Sequence, residues 1–349
     1  MNIAIILPSL KNNAPIQVAL DIANYLVNNK CKVDIYILKN IVELPFSGKV
    51  TKISLFKEIK FHSYDIIHSH MLFPNIYIWI HRHKIKSVCI TTLHNEIEKV
   101  LHNSYNYLIG NIFSFLWIKS LSSQNEIICL SNYAKQQLTL NHNLVKSSFI
   151  YNGRSVKKTK LDEIEKKEIK EFVKDFKVLG VIAGLSKIKG ISQIISTLSI
   201  LNDYCLLIVG EGQEKSALIS QAKELKVFDR CLFIGHQNNA HRYMTYFDIY
   251  MMTSYSEGFP LVLIEAAQYK KPTVCSNIAI FNEFFSEKEV VFFDLDDLNS
   301  LSNSIKKAYE LRNKLSENIY NRYNNCYTSD IMGLNYLNKM NNLMKNIKK

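Results

Sequence analysis

The chemistry in this chain is most concentrated in the run Ser254-Tyr255-Ser256-Glu257-Gly258-Phe259-Pro260-Leu261-Val262-Leu263-Ile264-Glu265-Ala266-Ala267, which sets two glutamates eight positions apart. Gly258 permits an unusual backbone turn, and Pro260 suits the first position of a helix, where its missing N–H costs nothing. Such a helix start leaves backbone N–H groups free to receive a diphosphate. If all eight steps were helical, the two carboxylates would lie about 12 Å apart at roughly 1.5 Å per residue. One could then reach each end of a long anionic ligand. An acidic helix start needs no ligand to explain it, because the helix dipole favours negative charge there. The second candidate loop is Val181-Ile182-Ala183-Gly184-Leu185-Ser186-Lys187-Ile188-Lys189-Gly190, in which Lys189 taken alone reads as a solvated loop lysine. Gly210-Glu211-Gly212 and Gly235-His236 mark further turns after apolar runs and are weak signals by themselves. Asp65-Ile66-Ile67-His68-Ser69-His70 and Thr91-Thr92-Leu93-His94 end apolar runs in histidine, and a core or capping imidazole is the plain reading of each.

These residues need elements to hold them. Ile3–Leu7, then the helical pattern Ile16–Asn28, then Lys32–Leu38 read as a βαβ unit. Runs at Ile66–His68, Ser87–Thr92 and Glu126–Leu130 extend a mostly parallel sheet with both faces covered. From Ser155 to Lys177 the chain becomes highly charged, as suits a surface linker leading into an exposed helix. Strands resume at Val178–Ala183, Cys205–Val209, Cys231–Ile234, Ile249–Thr253 and Pro272–Cys275, so the second half repeats the first. Ligands in open α/β sheets bind beyond the carboxyl ends of strands, and every candidate loop named above follows a strand. Near the end, Ile331, Leu334, Leu337, Met340, Leu343 and Met344 give a helix one apolar stripe.

The Glu257–Glu265 run resembles the Glu-x7-Glu motif of glycosyltransferase family 4, and Lys189-Gly190 aligns with that family's phosphate-binding Lys-Gly. The likeness covers nearly the whole chain and is strongest from Val178 to Cys275. It implies a GT-B α/β fold, two Rossmann-like doubly wound domains facing a central cleft. The domains are expected at 1–155, on the acceptor side, and 156–318, binding the nucleotide sugar, with 319–349 packing back on the first. The resemblance also implies roles. Glu257 contacts the donor sugar near its reacting carbon, Glu265 holds the ribose hydroxyls, and Lys189 neutralises charge growing on the leaving diphosphate. Gly258, Phe259, Pro260, Leu261, Gly190, Gly210 and Gly212 would line the donor, and His94 would contact the donor sugar or the acceptor. Ser131-Asn132-Tyr133 and Tyr151-Asn152-Gly153 fit the pattern as markers of the last strands before the linker. Two departures stand out. The family's arginine five positions before the lysine is Gly184 here, and its Gly-Gly loop after the first strand is Ser9-Leu10-Lys11-Asn12-Asn13-Ala14-Pro15-Ile16.

The activity so implied is a retaining, hexosyltransferase-type glycosyltransferase. It would move sugar from a nucleotide diphosphate sugar, UDP-linked, to a glycan or lipid-diphosphate-linked acceptor in surface polysaccharide synthesis, with no cofactor. The alternative is a degenerate, non-catalytic member that binds nucleotide sugar or serves as a scaffold, and an epimerase of the same fold is disfavoured by the glutamate motif. Composition agrees with a globular protein, 47% apolar and 21% charged. Of the net charge of +12, residues 1–160 hold +11, with 19 Lys/Arg against 8 Asp/Glu. A basic half suits an anionic membrane surface or a phosphorylated substrate. Nucleic acid would explain the charge but none of the motifs. Seven scattered cysteines without a Cys-x-x-Cys pair read as reduced thiols in a cytosol. Met1–Pro8 lacks a basic leader and reads as a first strand. Tyr105–Ile118 is too short and too interrupted to span a bilayer. The expected location is therefore cytoplasmic, with a peripheral seat on the inner face of the plasma membrane as a further candidate. Asp294-Leu295-Asp296 has the form of a metal-binding Asp-x-Asp, but Asp294 to Asp297 precede the helical pattern Leu298–Tyr309 and read as its cap, and no His/Cys cluster suggests a metal.

Overall fold

A computed structural model describes residues 1–94 and 107–347. The expected helical stretch Tyr105–Ile118 thus begins outside the described residues, which carry a helix over Tyr107–Leu121. The chain divides into two compact units, Met1–Arg154 with Cys326–Lys349, and Ser155–Asn325.

Unit 1 is built on a seven-stranded sheet of β1 (Asn2–Leu7), β2 (Lys32–Ile37), β3 (Lys49–Lys52), β4 (Ile66–His70), β5 (Val88–Leu93), β6 (Glu126–Cys129) and β7 (Ser147–Phe149). The order is β3-β2-β1-β4-β5-β6-β7 and every pairing is parallel. Parallel strands bury both faces, which is why β1, β4 and β5 are buried nearly throughout. The two edges, β3 (Lys-Val-Thr-Lys) and β7 (Ser-Ser-Phe), are short and half-exposed. They lie outside the strand runs read from sequence, because an edge strand has one neighbour and little apolar content to betray it.

The helix Ala14–Asn28 follows β1. Asn13 accepts from the Ile16 amide and Pro15 sits in the first turn, so the altered first loop still makes a proper helix start. Against this helix packs the C-terminal helix Ser329–Ile347, with Gly333 so close that a Cβ there would meet the Tyr25 ring at 2.1 Å. The return of the chain to unit 1 begins at Cys326 rather than at residue 319, since Ile319 and Tyr323 are buried on the helix Arg312–Cys326, most of which belongs to unit 2.

Unit 2 repeats the design with β8 (Lys177–Ile182), β9 (Tyr204–Val209), β10 (Cys231–Gly235), β11 (Ile249–Met252), β12 (Thr273–Ser276) and β13 (Val291–Phe293). Its order is β10-β9-β8-β11-β12-β13, again all parallel. The linker enters through the helix Glu163–Val173, started by a reciprocal capping box of Asp162 and Glu165. One side of the sheet buries Leu179, Val181, Ile194, Ile195, Leu206 and Ile208 in a single core. The chain belongs to the α/β class, and in both units the strand order reverses between the first strand and its later neighbour, β1 to β4 and β8 to β11. That reversal leaves a crevice at the carboxyl ends, the usual place for a ligand.

Candidate functional site

In unit 2 the loops after β8 and β11 leave the sheet side by side at the reversal point. The β8 loop closes in a short 3-10 turn, Lys187–Lys189, and ends at Gly190 with φ 62°. A Cβ at Gly190 would lie 2.1 Å from the carbonyl oxygen of Thr253, so both its backbone and its surroundings demand glycine. Two bonds sew the loops together: Thr253 Oγ1 donates to the Lys189 carbonyl at 3.0 Å, and the Tyr255 amide donates to the Ile188 carbonyl at 2.8 Å.

This stitching sets Lys189 beside Glu257, with Nζ donating to Oε1 at 2.5 Å, and the Ser254 hydroxyl donates to the same oxygen at 2.7 Å. The Glu257 side chain is 11% exposed and that of Lys189 27%, so the pair is sheltered yet reachable. Glu265 stands half-buried on the helix Leu261–Gln268. Burial, and after it the charges of Glu257 and Glu265, push the hydroxyl of Tyr250 on β11 well above its ordinary value, so both carboxylates act on the same strand.

The glycines of the β9 loop serve close approach. Gly210, at φ 146°, would put a Cβ 1.9 Å from the Ala183 carbonyl, and Gly212 would put one 2.3 Å from that of Leu185. The Leu185 amide donates to Glu211 and the Glu214 amide to Leu185. The β8 and β9 loops are therefore locked backbone to backbone, and their low bulk leaves room for an anion over the sheet end. Gly184, by contrast, is exposed, and the nearest atom to a Cβ there is 3.9 Å away.

Several local expectations need correction. The helix begins at Leu261 and Pro260 is its cap residue, so only the second half of the Glu257–Glu265 interval is helical and the eight-step helical spacing does not apply. Positive φ in this unit's glycines falls on Gly190, Gly210 and Gly235 rather than on Gly258, so the left-handed turn sits in the partner loop. At the helix start the Leu261 amide is taken by the Phe259 carbonyl and that of Leu263 by Pro260. Phe259 packs its ring 4.6 Å from that of Phe284. In the acidic run after β13 it is Asp297 that caps the following helix, accepting from Asn299 and Ser300. Asp296, at φ 61°, instead accepts from the Tyr255 hydroxyl and gives its amide to Gln193 Oε1 at 2.8 Å. No group of three metal-ligating side chains occurs among the described residues.

Sequence reasoning missed Gln193 and Ser254. Gln193, on the helix Ile191–Leu198, is buried and binds Thr253 through Nε2 and Asp296 through Oε1, tying the loops after β11 and β13 to that helix. Nothing in a lone glutamine signals this, whereas Ser254 stood three residues from Glu257 and its hydroxyl was readable as a neighbour.

The histidines sit in unit 1 at the carboxyl ends of β4 and β5. His68 and His70 are wholly buried and His94 is 7% exposed. His70 Nδ1 bonds His94 Nε2 at 2.9 Å, and His68 Nε2 bonds Thr92 Oγ1 at 2.8 Å. Burial holds all three imidazoles far below their ordinary range, to about 3 for His68 and His94, so each is neutral at physiological pH.

Residues 17–158 match the Glycosyltransferase Family 4 model and residues 162–323 the model for Glycosyl transferases group 1. The O-antigen biosynthesis glycosyltransferase WclY of Escherichia coli is 30% identical over 362 residues, covering 99% of this chain and 100% of that one. The UDP-Gal:alpha-D-GlcNAc-diphosphoundecaprenol alpha-1,3-galactosyltransferase of Escherichia coli is 24% identical across 79% of this chain and 74% of its own. In fold, Anabaena Alr3699/HepE in complex with UDP superposes with a TM-score of 0.78 at 16% identity, covering 98% and 100% of the two chains. The full-length match to WclY, the two family models and the paired doubly wound sheets together make this chain a member of the GT-B glycosyltransferases of the family 4 type.

Proposed function

We propose that this glycosyltransferase retains anomeric configuration and moves a hexosyl group from a UDP-linked sugar to a lipid-diphosphate-linked glycan in O-antigen-type polysaccharide synthesis. The observation that carries the reading is the Lys189–Glu257 pair, held at the carboxyl ends of β8 and β11 by two interloop bonds and a glycine that no other residue can replace. A diphosphate arriving there competes with Glu257 for the Lys189 ammonium, and the freed carboxylate turns to the sugar. Lys189 then stabilises the charge that grows on the leaving phosphate, where a fixed cation lowers the barrier most. The bond from the anomeric carbon to the phosphate oxygen breaks, the bond to the acceptor oxygen forms on the same face, and the acceptor's proton passes to the leaving phosphate. No separate base is required. Glu265 holds the ribose, Gly190, Gly210 and Gly212 let the backbone approach the diphosphate, and His94 contacts a sugar of the donor or acceptor.

The UDP bound by Anabaena HepE and the UDP-galactose in the name of the Escherichia coli galactosyltransferase support a uridine donor. The diphosphoundecaprenol-linked sugar in the name of the Escherichia coli galactosyltransferase supports a lipid-linked acceptor, and the name of WclY supports O-antigen synthesis. A peripheral position on the cytoplasmic face of an anionic membrane belongs to the same reading, supported by the basic first half and the apolar side chains exposed on the helix Tyr107–Leu121. A non-catalytic, sugar-binding role is favoured by one observation, Gly184 in place of the family's arginine. Calorimetry against a panel of nucleotide sugars, paired with transfer assays on diphosphoundecaprenol-linked sugars, separates the two. Binding with neither transfer nor donor hydrolysis establishes the non-catalytic role, and absence of all binding overturns both.

A further inference from the structure

Unit 1 holds a buried column of four rings, only one end of which the proposed chemistry uses. Ring centroids run from Tyr336 to His68 at 5.5 Å, His68 to His70 at 4.2 Å and His70 to His94 at 5.2 Å. Thr92 Oγ1 joins the Tyr336 hydroxyl at 2.9 Å to His68 Nε2 at 2.8 Å. Two ring nitrogens, His68 Nδ1 and His70 Nε2, are buried without a hydrogen-bond partner among the described residues. A neutral imidazole has one N–H and one lone pair, so the 2.9 Å bond between His70 Nδ1 and His94 Nε2 admits two proton arrangements. If His94 Nε2–H donates, His70 must carry its proton on Nε2, stranding a buried donor. If His70 Nδ1–H donates, Nε2 is only a lone pair without a partner, the arrangement favoured by analogy with buried backbone groups, among which an orphaned N–H is rarer than an under-satisfied acceptor.

We propose that His70 is a positioning residue whose Nδ1–H donates to His94 Nε2, fixing His94 as the Nδ1–H tautomer so that it meets a sugar oxygen as a hydrogen-bond donor and not as a base. The bond that one ring nitrogen makes decides which proton the other carries. The backbone supports this pinning. Met71, directly after His70, lies at φ 70° and ψ 176°, a region almost reserved for glycine, which persists only where the surroundings over-determine it.

The inference rests on the reading of His94 as a sugar contact, but the tautomer can be read without activity. Long-range proton–nitrogen correlation on the full chain with labelled histidine, assigned with His94→Gln, is expected to show Nδ1 protonated and Nε2 unprotonated at position 94. His70→Phe is expected to give mixed tautomers and to lower kcat by up to about 10²-fold with little change in donor Kd. His70→Asn, whose amide can still donate, recovers most of that loss. Protonated Nε2 on His94 in the wild type, or an unchanged kcat in His70→Phe, overturns the proposal. If His70→Phe fails to fold, the wild-type spectrum decides alone. If no sugar transfer is found at all, the spectrum still tests the tautomer while the proposed activity fails separately.

Discussion

A carboxylate that already holds an ammonium and a hydroxyl has one arrangement to leave when a ligand arrives, and Glu257 is in that state with Lys189 and Ser254. Replacing Lys189 with Ala removes the cation in both ground and transition states, so donor affinity and rate should both fall, the rate by about 10²–10³. Glu257→Gln should act chiefly on turnover, and Glu265→Ala chiefly on donor affinity. Calorimetry beside product formation measures the split, with EDTA added. Near-normal turnover in Glu257→Gln, or activity lost to EDTA and restored by Mn²⁺, would show that the site is misassigned. Backbone strain makes a separate forecast. Met71→Gly relieves a conformation costing roughly 1–3 kcal/mol while loosening the unfolded chain, for a net gain on the order of 1 kcal/mol. A drop in melting temperature for this variant would mean that the Met71 side chain contributes more than its backbone costs.

At the scale of elements, the C-terminal helix Ser329–Ile347 is the one whose removal should matter most. Met332, Tyr336 and Met340 are fully buried, and Met332 Sδ receives the Gly153 amide. Three such side chains contribute roughly 1.5–3 kcal/mol each, together comparable with the whole stability of an ordinary domain. Truncation after Asn325 is therefore expected to unfold unit 1. Both tryptophans, Trp79 and Trp117, lie in that unit, so tryptophan fluorescence reports on it directly. A truncated chain melting like the full one would remove the helix from the core account. The helix Tyr107–Leu121 poses the opposite question, because it exposes Ile112 at 60% and Phe115 at 64% beside a Lys119 ammonium 5.9 Å from the Phe115 ring. Apolar and basic groups in one surface suit a headgroup interface. Sedimentation with anionic vesicles should capture the protein at low salt, and Ile112→Ser with Phe115→Ser should weaken capture at every salt concentration. Equal sedimentation of wild type and double variant would rule this helix out as the contact.

Over the whole molecule the buried histidines make unit 1 sensitive to acid. His68 and His94 have folded pKa values lowered by burial to about 3, against 6.5 for the free side chain. Between those limits the unfolded chain binds more protons than the folded one, so stability rises with pH across the window. Their contribution is complete above about pH 6.5 and is lost progressively as pH falls toward 3. Tryptophan fluorescence melts should therefore lose midpoint steadily from pH 7 to pH 5, and His68→Phe should flatten that slope. A wild-type midpoint independent of pH over this range would mean that the imidazoles take up protons without unfolding the unit.

The sequence by itself determined the α/β class, the repeat of one architecture in two halves, and the loops in which Lys189, Glu257 and the Gly-x-Gly turn would be found. These rest on local regularities: continuous apolar runs for strands buried on both faces, helical spacing between them, and glycine where a chain turns off a sheet. Only the tertiary structure decided that Gly190 rather than Gly258 bears the left-handed turn, since the demand comes from the Thr253 carbonyl in another loop. It also decided that Asp296 turns to Gln193 and Tyr255 while Asp297 caps the helix, and that Tyr336 reaches Thr92 across 244 positions. The polar edges β3 and β7 became strands by pairing alone. Apart from Asp297, whose capping amides lie only two and three residues ahead, the deciding partner is in each case remote along the chain. A residue's own type and spacing carry no trace of a neighbour that only folding brings within 3 Å.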